Sequence, residues 1–111
     1  MLANINNVQI GLGITIHGYS DAHAYTITAK TAKTITVQQD DATLDNFKPE
    51  FVVGGFAGHC TNQNEQKYIY KCNIENPLEI LHADRQGNFH AWKEKRPNVS
   101  IGRNEFYDYN F

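Results

Sequence analysis

Two neighbouring segments of alternating residues constrain the fold of this chain most strongly. In Ala24–Ala29 (AYTITA) the residues Tyr25, Ile27 and Ala29 share one face, and Thr34–Val37 (TITV) repeats the pattern. A period of two is typical of a strand that buries one face. The four residues between the segments are short enough for a hairpin connection. The sequence therefore predicts a β-hairpin at this point.

Other short segments that favour strands surround this hairpin at a spacing of about ten residues, which is typical of small barrels and sandwiches. They are Ile14–His17, Phe51–Val53, Tyr68–Cys72, Leu78–Leu81, Asn88–Trp92, Val99–Ile101 and Glu105–Phe111. The two segments that flank the turn-rich stretch Asp84–Gly87 form a second predicted hairpin. Many Asn and Thr residues, with few Ala and Leu, also favour strands and turns over a helical bundle.

One short helix is predicted at Thr61–Gln66, where an asparagine and a glutamate have the spacing of a capping box. The predicted fold class is therefore mainly β: a small SH3-like barrel, or a compact antiparallel sheet, with one short inserted helix. The length allows a single domain over residues 1–111. Within it, residues 1–7 are expected to fray and residues 38–50 to form a polar loop.

The formal charge of −2, from ten basic and twelve acidic residues, removes the argument for strong non-specific binding to nucleic acid. No apolar run approaches the ~18 residues that span a membrane, and no secretory signal is visible. We therefore expect the protein in the cytosol. In that reducing compartment Cys60 and Cys72 are expected to be free thiols rather than a disulfide.

The densest polar cluster, Gly54–Gln66, has two possible interpretations. His59, Cys60, Asn62 and Gln63 could form a nucleophilic site of the Cys–His type, with an amide that orients the imidazole. The simpler interpretation, which we favour, is a structural cysteine beside a helix start. No paired metal-ligand spacing is present, so neither a metal nor a cofactor is assigned.

Two aromatic segments are candidate binding surfaces. In HGYSDAHAY, Tyr19 and His23 could present aromatic faces at the rim of a barrel, beside Asp21 in the turn, although polar turn chemistry alone also explains the aspartate. In the C-terminal EFYDYNF, alternation places Tyr107 and Tyr109 on one side. That segment is interpreted as a terminal strand that closes the sheet, or as an exposed aromatic surface for a protein partner.

A basic segment raises the alternative of nucleic-acid binding. Trp92 precedes Lys93, Lys95 and Arg96, and Arg103 follows them, which is the composition of a groove for single strands. This hypothesis requires these cations to share one face with the two lysines of the first hairpin. A solvated strand edge protected by lysines is the competing interpretation.

Four motifs together resemble a known group of sequences. HGYSDAHAYTI, TITVQQDDATL, GGFAGHCTNQ and EFYDYNF resemble small uncharacterised proteins encoded by bacteriophages, prophages and gut bacteria. The resemblance implies a phage or mobile-element setting and no particular mechanism. The hypothesis ranked first is therefore an accessory protein that binds a bacterial host protein or defence complex, for example as a counter-defence inhibitor. A nucleic-acid-binding barrel ranks second, and a small enzyme or ligand-binding protein that uses His59 and Cys60 ranks third.

Overall fold

The computed structural model describes residues 1–18, 21–44, 51–52, 59–60 and 67–106, and these residues form ten strands and no helix. The strands are β1 Gly13–His17, β2 Ala22–Lys30, β3 Thr34–Gln39, β4 Asp41–Leu44, β5 Phe51–Val52, β6 His59–Cys60, β7 Tyr68–Lys71, β8 Leu78–Ala83, β9 Phe89–His90 and β10 Val99–Ile101. The predicted mainly-β fold class is confirmed. The helix predicted at Thr61–Gln66 lies outside the described residues.

Six strands form one antiparallel sheet in the order β10-β1-β2-β3-β8-β9. Both predicted hairpins are present, since β2 pairs with β3 and β8 pairs with β9. The β2–β3 pairing contains an irregularity between Ile27 and Ala29, and Ala29 is exposed although it was predicted to share the buried face. A bulge adds one residue to a strand and so changes the face on which the following side chains lie.

The core is formed by the inward-facing residues of this sheet. Side chains that lie opposite each other in an antiparallel pair share a face, as Ile14 and Tyr25 do across β1 and β2, and Ile35 and Leu81 do across β3 and β8. The core consists of Ala3, Val8, Ile14, Ile16, Tyr25, Ile27, Ile35, Val37, Leu81, Phe89, Ala91 and Val99. Most of its members come from strands far apart in sequence, and Ala3, Val8 and Ala91 from the segments beside them, so the sheet curls around a single interior.

The N-terminal segment connects the two edges of the curled sheet. Leu2 bridges to Ser100 of β10, and Asn4 bridges to Asn88 at the start of β9. Ala3 is fully buried, and its N–H donates to the carbonyl of Val99 at 2.9 Å. The predicted fraying of residues 1–7 is therefore wrong, because this segment occupies the gap between the edge strands. The result is a nearly closed, small β-barrel.

Gly87 allows the N-terminal segment to approach the β8–β9 turn. Its φ is +87°, in the left-handed region that favours glycine, and a Cβ there would lie 2.9 Å from Asn4 Oδ1. The Gly87 carbonyl accepts a hydrogen bond from Ile5 N at 2.8 Å. Asn4 Nδ2 adds bonds of 2.9 Å to the Gln86 carbonyl and to Asn88 Oδ1. The closure of the barrel thus depends on the β8–β9 turn, in which the residue that the N-terminal segment approaches is a glycine.

The polar stretch 38–50 was predicted to be a loop, and this is wrong for its first half. Residues 38 and 39 complete β3, and Asp41–Leu44 form β4, which pairs with β7. A polar strand is stable here because β7 satisfies its backbone groups, and the Asp41 carboxylate accepts bonds from the amides of Asn73 and Asn76. Residues 45–50 lie outside the described residues.

The segment that follows β10 crosses the outer face of β1. Thr15 Oγ1 donates to the carbonyl of Gly102 at 2.6 Å and accepts a bond from Asn104 N at 2.8 Å. Thr15 is completely buried by this crossing, although it faces away from the core. The chain then pairs with the start of β2, where Phe106 and Ala22 exchange both backbone hydrogen bonds. The crossing places Glu105 at the end of the barrel.

The described part of the chain contains no helix of the length and hydropathy that a membrane span needs.

Candidate binding site at one end of the barrel

Five side chains converge at the end of the barrel where β1 ends and β2 begins: His23, Tyr25, Glu79, Trp92 and Glu105, here called the mouth cluster. The strand register places three of them on the interior side. Across the strand pairs, His23 faces Ile16, Tyr25 faces Ile14, and Glu79 faces Val37. The apolar core therefore ends in a group of polar and aromatic side chains.

His23 and Glu105 form a close pair at the rim. His23 Nδ1 lies 2.8 Å from Glu105 Oε2, and the other carboxylate oxygen accepts a bond from Ala24 N at 2.8 Å. The Glu105 side chain is only 14% exposed, and its backbone N–H donates to Tyr70 Oη at 2.9 Å. A carboxylate fixed in this way orients the imidazole and favours the tautomer that carries its proton on Nδ1. His23 Nε2 is then an acceptor for a bound group.

Trp92 is exposed but held in place. It is 44% exposed, its Nε1 donates to Glu79 Oε1 at 3.3 Å, and its ring meets that of His23 edge to face at 6.3 Å. Gly18 lies against the indole, since a Cβ on Gly18 would be 3.3 Å from Trp92 Cζ3. The ring therefore cannot reorient freely in spite of its exposure.

The backbone that carries Trp92 is strained. Trp92 and Lys93 have φ values of +57° and +60°, and Glu94 N donates to the Ala91 carbonyl at 3.2 Å to close the turn. Each non-glycine residue in the left-handed region costs about 1–2 kcal/mol. Asn98 stabilises the base of the turn, because its side chain bonds both the N–H and the carbonyl of Ala91. The fold thus fixes a conformation that these residues would not adopt alone.

Tyr25 lies between the two carboxylates of the cluster. It is buried, and burial is the main reason why its pKa is raised well above the usual value of a tyrosine. The carboxylate of Glu79, which its hydroxyl contacts, raises the pKa further, and Glu105 adds a smaller effect. Tyr25 therefore remains a neutral hydrogen-bond donor under physiological conditions. Glu79 Oε2, in contrast, is buried and has no hydrogen-bond partner in the part of the chain that the structure describes.

His90 connects the strained turn to the rest of the barrel. Its Nδ1 lies 2.9 Å from the carbonyl of Glu94 and its Nε2 lies 2.8 Å from Asp84 Oδ2. Both neighbours are acceptors, so only the protonated imidazole can donate to both. The hydrogen bond to Asp84 is the main reason why the pKa of His90 is raised, and the Glu94 carbonyl contributes too. The same bond is the main reason why the pKa of Asp84 is lowered.

We expect this pair to make the turn sensitive to pH. The raised pKa of His90 gives stability that is complete below its ordinary value of 6.5 and is lost as pH rises through the folded-state value. The lowered pKa of Asp84 gives stability that is present above 3.8 and is lost as pH falls through the folded-state value. The turn should therefore be most stable between pH 3.8 and pH 6.5, the ordinary pKa values of the two groups.

Trp92 is the single tryptophan of the chain, so its fluorescence can report this transition. The wild type should show a fluorescence step that coincides with the His90 titration followed by NMR. His90→Gln should remove the step, and Asp84→Asn should move the His90 titration to lower pH. Emission that is flat across the His90 titration would show that the turn does not depend on the charged imidazole.

The sequence-predicted binding residues have different outcomes. His23 is part of the mouth cluster, and Asp21 accepts a bond from Gly18 N through its carbonyl, which confirms the turn between β1 and β2. His59 and Cys60 form β6, in which Cys60 lies opposite Phe51, but their side chains are outside the described part. Outside the described residues altogether lie Tyr19, Asn62, Gln63, Tyr107 and Tyr109. Their roles as candidate binding residues stay predictions.

Cys72 is an exposed free thiol, as predicted for this residue. Its Sγ lies 3.4 Å from Thr26 Oγ1 on the outer face of β2. Among the described residues, no three His, Cys, Asp or Glu side chains are grouped so as to hold a metal ion.

The single basic face that the nucleic-acid hypothesis requires is not present. Trp92, Lys93, Lys95 and Arg96 are exposed on the loop after β9. Arg103, however, lies on the outer face of β1 and β2, where its Nε donates to Asp40 Oδ2 at 2.7 Å. The assignment of Arg103 to a shared basic face is wrong, because the buried carboxylate of Asp40 already neutralises its charge.

The two lysines of the first hairpin are also separated from Trp92. Lys30 ends β2 and Lys33 lies in the following turn, whereas Trp92 contacts His23 near the start of that strand. Nine strand residues extend over about 26 Å. Lys30 Nζ in addition donates to the carbonyl of Val8 at 2.8 Å. The cations that the hypothesis groups together therefore lie at opposite ends of the barrel.

Three members of the mouth cluster, Tyr25, Glu79 and Glu105, were not predicted as site residues. Glu105 could have been found as a carboxylate at the start of the aromatic C-terminal motif. Glu79 lies between Leu78 and Ile80 in β8, and both faces of this strand carry apolar residues. The alternation of residue types therefore does not predict which face Glu79 occupies.

Comparison of the chain with protein-family models, with curated proteins and with solved structures gives no match. The function must therefore be argued from the mouth cluster itself.

Proposed function

We propose that this chain is a small accessory protein of phage or mobile-element type that binds a bacterial host protein or defence complex stoichiometrically in the host cytosol. The observation that carries the proposal is the presentation of Trp92, which is 44% exposed yet fixed by Glu79, His23 and a strained turn. Exposed tryptophans are enriched among the residues that dominate protein interfaces. An anchor that is ordered before binding loses less entropy when the complex forms.

Binding fits the mouth cluster better than catalysis. The His23–Glu105 pair could orient a general base, but catalysis also needs a reacting group within reach of His23 Nε2. The cysteine hypothesis depends on side chains of residues 59 and 60 that are outside the described part. The mouth cluster itself offers an aromatic surface, an oriented imidazole and a carboxylate oxygen for which the described residues provide no donor. These are groups that recognise a ligand without reacting with it.

Trp92→Ala is expected to abolish partner capture without unfolding the protein. The variant removes the exposed ring and should weaken binding by about 2 kcal/mol or more, which is roughly thirtyfold. The measurement is affinity capture from a bacterial lysate, followed by native mass spectrometry of the captured complex to establish its stoichiometry. Ile10→Ala is the matched control, because Ile10 is also a large apolar side chain and is 65% exposed outside the mouth cluster.

Two results would contradict the proposal. One is equal capture by wild type, Trp92→Ala and Ile10→Ala, which would show that Trp92 contributes to no interface with the captured partner. The other is saturable binding of single-stranded oligonucleotides that weakens steeply with salt and requires Lys93, Lys95 and Arg96, which would favour the nucleic-acid alternative. A folded thermal transition in each variant ensures that lost capture reflects the surface and not the fold.

A further inference from the structure

We infer that the mouth cluster is a receptor for a cationic side chain, and that the partner places an arginine against the Trp92 indole and the Glu79 carboxylate. This inference rests on the proposed function and names the chemistry that the partner must present. It starts from the buried Glu79 Oε2, which has no hydrogen-bond partner among the described residues. An unsatisfied buried polar atom is rare in folded proteins and calls for an explanation.

Glu79 is only partly satisfied within the protein. Its Oε1 accepts the bond from Trp92 Nε1, which at 3.3 Å is long for an N–H donor to a charged oxygen. Tyr25 contacts the carboxylate as well, but no donor among the described residues forms a hydrogen bond with Oε2. A carboxylate with one buried oxygen that lacks a donor favours an additional donor, and a positively charged donor most of all. A guanidinium supplies several N–H groups in one plane.

The aromatic side chains around Glu79 suit the same ligand. The Trp92 indole is partly exposed, its N–H donates to the carboxylate, and the His23 and Trp92 rings meet edge to face. A guanidinium stacks favourably on an indole face through a cation–π interaction. Glu105, which also influences Tyr25, adds a second negative charge to the cluster. Aromatic surface and carboxylate charge therefore converge on one position.

The cations next to Trp92 in sequence do not cancel this preference. Lys93 and Lys95 are exposed, so their charges are screened by water and salt over about 8 Å. The charge of Glu79 is shielded from solvent at Oε2 and is screened much less. The indole N–H donates to the other oxygen of the same carboxylate, so a cation that binds Oε2 changes the surroundings of the Trp92 ring. Fluorescence of this single tryptophan should therefore follow binding directly.

The test uses a free arginine probe with the intact protein. N-acetyl-L-arginine amide should cause a saturable change in Trp92 fluorescence and in the NMR signal of its indole N–H. Its affinity is expected in the millimolar range, about −4 kcal/mol, as for a ligand of this size. N-acetyl-L-citrulline amide, which has a similar shape without the charge, should give no saturable change.

Glu79→Gln is the decisive variant, because it keeps the acceptor for Trp92 Nε1 and removes the charge. It should weaken arginine binding about tenfold or more while thermal stability stays equal or rises. Glu94→Gln is the matched control, since Glu94 lies in the same turn but is exposed, and it should change binding by less than about twofold. Equal responses to arginine and citrulline, no response at tens of millimolar, or unchanged binding in Glu79→Gln would each overturn the inference.

The failure of this inference can be distinguished from failure of the proposed function. If Glu79→Gln captures the protein partner as well as wild type does, while Trp92→Ala does not, the partner binds Trp92 without an arginine. If the arginine probe binds with the stated pattern but no stoichiometric partner depends on Trp92, the cation site stands and the proposed function falls. In the latter case the occupant is a free cationic molecule.

Discussion

Deletion of residues 1–5 is expected to unfold the barrel at physiological temperature. The deletion removes backbone hydrogen bonds from Ala3 N to the Val99 carbonyl, from Ile5 N to the Gly87 carbonyl, and from Ile101 N to the Met1 carbonyl. Each is worth about 1 kcal/mol. The buried Ala3 and the partly buried Ile5 add apolar burial, so the total loss is about 5 kcal/mol. A domain of this size has only about 5–15 kcal/mol in all.

The measurement is thermal and urea-induced unfolding followed by circular dichroism. The truncated chain should lose its cooperative transition or show a much lower midpoint, and the exposed edges of β9 and β10 should make it prone to aggregate. Ile10→Ala serves as control, because this nearby side chain is mostly exposed and its loss should leave the midpoint almost unchanged. A truncated protein with the midpoint of the wild type would show that the barrel does not depend on this closure.

The two hairpins were predictable because their information is local. Alternation in β2 and β3 specifies both the strands and the buried face, and a short connection specifies the pairing. The closing segment carries no such pattern. Asn4 and its neighbours appear in the sequence as a polar end that frays, yet Asn4 bonds Gln86 and Asn88, more than 80 positions away. No local sequence propensity predicts a contact between residues so far apart.

The mouth cluster, too, was only partly predictable from local sequence. His23 and Trp92 were both recognised as candidate residues, but they were assigned to different functions, because the contact between them depends on how the chain returns to the β1–β2 end after β9. Glu79 was missed because both faces of β8 carry apolar residues, of which Leu78 and Ile80 are exposed. Residue types can be read from the sequence, whereas the face that each one occupies depends on the register of distant strands.

Arg103 illustrates how a cation is misassigned when its partner is distant in sequence. It was grouped with Lys93 and Arg96 by proximity along the chain, but its partner Asp40 is 63 positions away. Thr26 completes the group, since its Oγ1 donates to Asp40 Oδ1 at 2.6 Å and accepts from Arg103 Nη2 at 2.9 Å. The guanidinium also lies directly over Gly13, where a Cβ would come within 2.5 Å of Arg103 Nη1. This arginine is a structural connection between β10 and the outer face of the barrel.

Asp40→Ala is therefore expected to destabilise the barrel far more than the loss of an exposed carboxylate would. The Asp40 side chain is only 1% exposed, and its removal leaves the Arg103 guanidinium against the sheet without its anion. Breaking a fully buried ion pair costs about 3–5 kcal/mol. Because Arg103 is 32% exposed and can recover some hydration, we expect about 2–3 kcal/mol. Urea titration of the variant against wild type measures this difference.

Glu75→Ala is the control, because it removes an exposed carboxylate outside the Asp40–Arg103 group and should have only a small fraction of the Asp40 effect. The double variant Asp40→Ala/Arg103→Met should lose less than the sum of the two single losses, since each single change leaves a charge without its partner. If Asp40→Ala and Glu75→Ala were equally mild, the ion pair would contribute nothing to the fold, and Arg103 would again be available to bind an anion. Because the expected coupling between positions 40 and 103 is a property of the free protein, it can be measured before any partner is known.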